Sequence, residues 1–345
     1  MGRKIVWCLV VLTAMSLQIS AQRHYVCYYA AQRPVIDGSG DDPAWQQAPW
    51  TEDFADIEGE VRPQPPLRTR VKMLWDTANL YIYAELQEPD LWGTLRQHDT
   101  IIYDDNDFEV FINPDNTTHR YFELEINSLG TVMDLFMNKP YRNGGKALMS
   151  WDAQGLQSAV ATRGTLNHPG DVDDGWSVEM AIPLKTLSFY GDRSVTDSTQ
   201  WRINFSRVEW DRDVKDGAYR VRTDAASGRR LPEHNWVWSP QGYIDMHMPE
   251  KWGYLQFSKH NGGKDTVTVV EPADEGSREI LWTIYYKQQK YFREHGHYAD
   301  ILRQLDLVGG NGIRLKATDT QFTAAVNTAA GELSIDQDGE VKNAR

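Results

Sequence analysis

The chain has 345 residues, of which 41% are apolar, and its formal net charge is −13 at pH 7. A chain of this length can bury one or two hydrophobic cores. The acidic balance argues against nucleic acid and anionic lipid surfaces as partners, because both are already negatively charged.

The first 21 residues have the layout of a secretory signal peptide. Arg3 and Lys4 precede an apolar run from Ile5 to about Met15, and a polar stretch then leads to Ala21. The apolar run has about 11 residues, whereas a helix needs about 20 to span a bilayer. We therefore expect cleavage after Ala21, no integral membrane segment in the mature chain, and export to the medium, the periplasm or the cell surface.

Residues 22–258 are predicted to form an all-β, antiparallel, jelly-roll-like sandwich. Short segments alternate apolar and polar residues between turn-forming clusters, as half-buried strands do. The clearest segments are Val71–Trp75, Leu80–Ala84, Tyr121–Asn127 and Trp176–Ile182. In Tyr121–Asn127 the alternation predicts one face in the core and one polar face.

The pattern changes after residue 258. Residues 259–276 are predicted to be a linker that holds at most one strand, because turn-forming stretches, Asn-Gly-Gly-Lys-Asp and Glu-Pro-Ala-Asp-Glu-Gly, flank a short Thr/Val run. From Ser277 apolar residues recur at spacings of three and four, which predicts an amphipathic helix of about 17 residues ending near His295 and Gly296. Three short alternating segments then predict a small antiparallel sheet, so residues 277–345 form an α+β appendage that packs on the sandwich.

Two polar groupings within the sandwich are candidates for binding. The polar face of Tyr121–Asn127 carries Glu125 and Asn127, whose carboxylate and amide groups can hydrogen-bond a polar ligand. Arg207 and Glu209 continue an otherwise apolar face, which indicates a binding cleft, a strand leaving the core, or an ion pair between the two.

A third grouping is rich in oxygen ligands. Asp104, Asp105 and Asp107 lie within four residues, and clustered carboxylates suit a hard cation such as calcium. The alternative is an acidic turn that faces water.

Five segments, taken in order, resemble the family 9 carbohydrate-binding modules. They are Val35–Gly38 with Pro43–Trp45, Val71–Asp76 with Asn79–Ile82, Asp105–Ile112, Gly175–Pro183, and Trp252–Tyr254. The resemblance covers about 220 residues and does not extend past residue 260. It implies a β-sandwich that binds the ends of sugar chains between two aromatic faces, usually contains structural calcium, and often accompanies a glycoside hydrolase that acts on the same glycan.

The resemblance also implies positions for the sugar site. The first aromatic wall falls on Tyr103, and the second is expected between Trp238 and Trp252, where this sequence has Met246 and His247 instead of a second tryptophan. The sequence therefore predicts that an oligosaccharide or polysaccharide contacts Tyr103, Glu125, Asn127, Arg207, Glu209, Trp238, Met246 and His247. Calcium is expected at Asp104, Asp105 and Asp107.

Two other functions are compatible with the sequence. A glycoside hydrolase would need two carboxylates at a defined separation across the scissile bond, and Glu125 and Glu209 would supply them if both face one cleft. Alternatively, the sandwich is a scaffold in a cell-envelope assembly, with the C-terminal helix and sheet making the contacts.

Overall fold

A computed structural model of the chain describes residues 22–188, 194–262, 265–307 and 312–344. The predicted signal peptide, residues 1–21, lies outside the described residues. Within the described ranges, no helix is both long enough and apolar enough to cross a membrane.

Strands make up most of the described chain before residue 259. They are β1 (His24–Tyr29), β2 (Ala55–Asp56), β3 (Thr69–Trp75), β4 (Asn79–Gln87), β5 (Asp107–Asn113), β6 (Tyr121–Asn127), β7 (Val132–Met137), β8 (Ala147–Leu148), β9 (Gln157–Arg163), β10 (Gly175–Pro183), β11 (Gln200–Glu209), β12 (Arg212–Lys215), β13 (Ala218–Val221), β14 (His234–Val237) and β15 (Gly253–Ser258). The C-terminal part contains α1 (Glu275–His295), β16 (Ile313–Ala317), β17 (Phe322–Thr328), β18 (Gly331–Asp336) and β19 (Val341–Ala344).

The large sheet has the strand order β8-β7-β6-β5-β11-β15-β1-β3-β4-β10-β9, with β14 beside β11 and β2 beside β14. It curls so that its two halves enclose one core, in which side chains of β5 and β6 meet side chains of β3, β4 and β10. The all-β sandwich prediction is confirmed. The pairing is antiparallel except that β1 runs parallel to both of its neighbours, β15 and β3.

Several central strands are buried on both faces. β5, β6 and β10 have no exposed residue, because the face that points away from the main core is covered as well. Over β5 and β6 this cover includes Ile102, Met246 and Trp252, which form a second apolar cluster with residues of the strands. The polar face predicted for Tyr121–Asn127 is present, but the strand is not half-buried as expected, because other parts of the chain cover that face.

The C-terminal part has its own core and docks on the sandwich. α1 packs Leu281, Ile284 and Tyr285 against the sheet β16-β17-β18-β19. The helix begins two residues before the predicted start and ends, as predicted, before Gly296, which has a φ of 77° and so adopts the left-handed C-cap conformation.

Buried polar contacts fix the docking. The Tyr286 hydroxyl donates to Glu250, a carboxylate that also pairs with Arg142 at 2.8 Å. Farther along, Arg120 pairs with Glu340 at 2.8 Å. Between the two parts, the described residues of the predicted linker contain neither helix nor strand before residue 275.

Candidate functional site

Four acidic side chains lie together on the covered face of β5 and β6. Alternation along the strands places Asp107 and Glu109 of β5 on the same face as Glu123 and Glu125 of β6. The antiparallel register sets Glu109 directly opposite Glu125. All four residues are buried, with exposed fractions between 0 and 5%. We call these four residues the carboxylate floor.

The floor lacks the partners that buried carboxylates usually have. Among the described residues, none of the four pairs with a lysine or an arginine, and the ring of His247, whose Nε2 lies 3.9 Å from Glu123 Oε2, has a pKa lowered to about 4. Asp107 Oδ2, Glu109 Oε2 and Glu123 Oε2 accept no hydrogen bond from the described part of the chain. Leaving buried acceptors without donors is costly, so this face favours a ligand that brings donors or positive charge.

Burial raises the pKa of every carboxyl group in the floor. It raises the pKa of Glu109 to about 7, and burial together with the charge of Glu109 raises the pKa of Glu123 to about 8. For Asp107 and Glu125, burial and then the Glu109 charge hold the pKa well above its ordinary value. The common cause is that charged forms are disfavoured when water is removed and like charges are close.

Two half-exposed tyrosines border the floor. Tyr103 is 45% exposed and Tyr141 is 48% exposed. The backbone N–H of Tyr103 donates to Glu125 Oε2 at 3.1 Å, and its carbonyl accepts from Trp210 Nε1 at 2.8 Å. Burial raises the pKa of the Tyr141 hydroxyl, and Glu123, Tyr103 and Glu125 raise it further. Both tyrosines therefore lie close enough to the floor for its carboxylates to interact with them electrostatically.

His247 links the second tyrosine to the strands. Its ring packs edge-on against Tyr141 with centroids 4.5 Å apart, and its Nδ1 hydrogen-bonds the Tyr121 hydroxyl at 2.8 Å. Burial, followed by the charge of Arg142, lowers the pKa of His247 to about 4. His247 is thus a neutral support for Tyr141. Its neighbour Met246 is buried in the apolar cluster beneath, where its sulfur accepts from Gln241 Nε2 at 3.1 Å.

Three of the predicted sugar contacts are engaged elsewhere. Arg207 and Glu209 pair with each other at 2.8 Å, and Glu88 and Arg212 complete a buried network around them. Trp238 is fully buried in the main core. The sequence prediction placed these side chains in the sugar site, but the structure gives them no free polar group or exposed ring for a ligand.

Glu209 also bears on the hydrolase alternative. Its two oxygens accept from Arg207 and Arg212 respectively, so it is held as an ion-pair partner instead of facing Glu125 across a cleft. The pair considered from the sequence therefore includes a carboxylate, Glu209, that is already engaged with two guanidinium groups.

Asn127 lies beside the floor, but its side-chain amide is engaged in hydrogen bonds within the protein. Its amide donates to Leu95 O at 2.9 Å and to Asp105 Oδ2 at 3.0 Å. Its side-chain oxygen accepts from two backbone N–H groups of the turn that follows β6. Asn127 therefore positions the loop that carries Leu95.

The three predicted calcium ligands do not converge. Asp104 is exposed and pairs with Arg230 at 2.8 Å. The Asp105 carboxylate accepts from Thr94 and Leu95 and ties down the same loop. Asp107 alone joins the floor, where one carboxylate oxygen each of Asp107, Glu109 and Glu125 lies within 4.8 Å of the others.

Sequence reasoning missed Glu109, Glu123 and Tyr141. Alternation from Asp107 could have found Glu109, and alternation from Glu125 could have found Glu123, had both strand faces been treated as buried. No local pattern marks Tyr141, which lies in the turn after β7, the strand that pairs with β6.

Comparisons with known proteins agree with the sequence resemblance. The sequence profile described as carbohydrate family 9 binding domain-like matches residues 36–236. A Bacteroides uniformis protein assigned as carbohydrate-binding is 15% identical, with 68% of this chain and 99% of that chain covered at a TM-score of 0.51. This likeness shows a shared fold.

Two further solved structures come from one Caldicellulosiruptor kristjanssonii family 9 module, in complex with cellotriose and with glucose. They are 16% and 15% identical to this chain, cover 72% of it and 100% of the module, and have TM-scores of 0.45. No protein of curated function matches the chain.

Proposed function

Because the chain belongs to the carbohydrate family 9 binding domain-like family, we propose that it binds carbohydrate over the carboxylate floor, between Tyr103 and Tyr141, and we call this proposed binding position the carbohydrate cleft. The single observation that carries this proposal is the pair of half-exposed tyrosines beside buried carboxylate oxygens that have no donor. A sugar offers what this cleft lacks. Its C–H face packs on an aromatic ring, and its hydroxyl groups donate hydrogen bonds to carboxylates.

The aromatic walls differ from those expected at the sequence level. Tyr141 supplies the second ring, whereas Met246 and His247 lie behind it as support. Tyrosine presents a smaller face than tryptophan, so we expect weaker stacking than a cleft with two tryptophans would give. The polar floor then contributes a larger share of the affinity.

The proposal is tested by titrating a panel of oligosaccharides into the mature chain, residues 22–345, by calorimetry. Tyr103→Ala and Tyr141→Ala should each weaken binding by about thirtyfold, which corresponds to about 2 kcal/mol for an aromatic hot spot. Tyr103→Phe should bind nearly as well as the wild type, because stacking does not need the hydroxyl.

Tyr291→Ala is a matched control, since this tyrosine stacks on His295 in α1, away from the cleft. Melting curves recorded on all variants separate lost contacts from lost folding. If Tyr103→Ala and Tyr141→Ala melt and bind like the wild type, the site is misplaced.

We further propose that the protein acts outside the cytoplasm and supports carbohydrate breakdown beside a glycoside hydrolase. The signal-like residues 1–21 support export, and the family resemblance supports the enzyme partner. N-terminal sequencing of the exported protein should find Gln22 first. Adding the protein to a hydrolase acting on the same polysaccharide should raise the rate on insoluble substrate and leave the rate on soluble substrate unchanged.

A further inference from the structure

The fold neutralises one set of buried acids and leaves another set unpaired. Glu88 and Glu209 face two guanidinium groups, those of Arg207 and Arg212, at 2.8 to 3.2 Å. The carboxylate floor is equally buried, yet none of its four residues pairs with an arginine or a lysine in the described part of the chain. Buried charge without a partner is strongly unfavourable, so the ionised floor would favour a positive charge supplied from outside the described chain.

The spacing of the floor oxygens indicates which kind of positively charged species would fit there. Oxygens of Asp107, Glu109 and Glu125 lie within 4.8 Å of one another. Two oxygens that bind the same calcium ion at about 2.3 to 2.6 Å can be no more than about 5 Å apart. The three carboxylates therefore already converge closely enough to share one such ion.

A second feature is independent of the acidic composition. Asp107 has no exposed surface, its Oδ1 accepts from the Val208 N–H at 3.2 Å, and its Oδ2 has no partner among the residues that the structure describes. An oxygen this deeply buried is shielded from bulk water, so a bound cation would supply the partner that the described residues do not. Glu109 Oε2 is in the same situation.

We propose that Asp107, Glu109 and Glu125 hold a divalent cation of the calcium type within the carbohydrate cleft, and that sugar hydroxyl oxygens complete its coordination. This inference rests on the proposed function. Calcium takes six to eight oxygen ligands, and three carboxylates leave positions open. The vicinal hydroxyl groups of a sugar held between Tyr103 and Tyr141 are suitable oxygen donors for those positions.

The site differs from the one expected at Asp104, Asp105 and Asp107. It shares only Asp107 with that group, and its role is to contact the ligand as well as to support the fold. A second acidic group, His98 with Asp99 and Asp134, also brings ligand atoms within 4.8 Å. It lies outside the floor, and His98 and Asp99 are exposed.

The cation is tested first, without sugar. Calcium is titrated into the chelator-treated mature chain by calorimetry, and terbium luminescence reports the same site. The wild type should bind calcium, whereas Glu109→Gln and Glu125→Gln should bind it about 10- to 100-fold more weakly or not at all. Asp99→Asn is the control and should leave binding at the floor unchanged. Equal calcium affinity in the wild type and both glutamine variants would overturn the proposal.

The sugar is tested next, on the same samples. An oligosaccharide that binds the wild type in calcium should bind at least tenfold more weakly in chelator. If it binds equally in both, the cation has no part in recognition, while the proposed carbohydrate function stands. If calcium binds at the floor and no sugar in the panel binds in either condition, the cation site stands and the carbohydrate function fails.

One further result would overturn the cation. Sugars with a free amino group could bring the positive charge themselves, so glucosamine oligomers and their N-acetylated forms are included in the panel. Binding of the amino form alone, at equal affinity in calcium and in chelator, would show that the ligand and not a metal neutralises the floor.

Discussion

Replacing Glu109 by glutamine should stabilise the protein at pH 8 in the presence of a chelator. Glu109 lies opposite Glu125 in the β5–β6 ladder, and one oxygen of each lies within 4.8 Å of the other. Burial raises the pKa of Glu109 from 4.5 to about 7, which corresponds to about 3 kcal/mol against its ionised form in the folded protein. The carboxamide keeps the shape of the side chain, removes the charge, and can donate a hydrogen bond to Glu125.

The expected gain is about 1 to 3 kcal/mol in the free energy of unfolding. For a domain of this size, each kcal/mol raises the melting temperature by about 2 to 4 °C. The measurement is urea or thermal unfolding of the wild type and Glu109→Gln in chelator. Glu85→Gln is the matched control, because Glu85 pairs with Arg70 at 2.8 Å and its loss should not stabilise.

The gain should depend on pH in a defined direction. Burial raises the pKa of Glu109 from 4.5 to about 7. A carboxyl whose pKa is raised on folding contributes stability below its unfolded pKa and loses it as the pH rises through the folded value. The advantage of the glutamine variant should therefore develop between about pH 4.5 and pH 7 and be absent at pH 4. A variant no more stable than the wild type at pH 8 would refute the reasoning.

Two further predictions concern the support of the site and the C-terminal part. Burial lowers the pKa of His247 from 6.5 to about 4. As the pH drops from 6.5 to 4, the unfolded state takes up a proton before the folded state does, so the free energy of unfolding should fall by up to about 3 kcal/mol. Urea unfolding of His247→Gln should lack this loss, and equal pH dependence of stability in the variant and the wild type would contradict the prediction. A chain of residues 22–262 should fold and keep its affinity for sugar, because the main core lies within it and the described contacts of Tyr103 and the floor do not include the C-terminal part. Calorimetry that shows lost binding in a folded truncated chain would contradict this prediction.

The strands could be predicted because their pattern is local. Tyr121–Asn127 coincides with β6, and Gly296 ends α1 where the helical period stops. Alternation shows which side chains share a face, but it does not show what covers the second face. Glu125 was therefore expected on an open polar face, whereas Ile102 and Met246, distant in sequence, help to enclose that side of the strands.

The long-range contacts of the site could not be predicted. For Arg207 and Glu209, the sequence left an ion pair and a binding cleft as alternatives. The structure decides for the ion pair because Glu88 and Arg212 join it, and that contact depends on strand order. The place of Tyr141 in the site could not be predicted either, because the turn after β7 and the loop with His247 come into contact only in the folded sheet.

The claim that carbohydrate binds over the carboxylate floor is tested most directly by locating a bound oligosaccharide through hydrogen–deuterium exchange. The mature chain is compared with and without a sugar from the panel that binds, in calcium. The account predicts slower exchange in residues 101–109, 121–127 and 139–143. Protection confined instead to the separate polar cavity of about 280 Å³ lined by Arg68, Glu85, Gln87, Arg163 and Asp174 would contradict it.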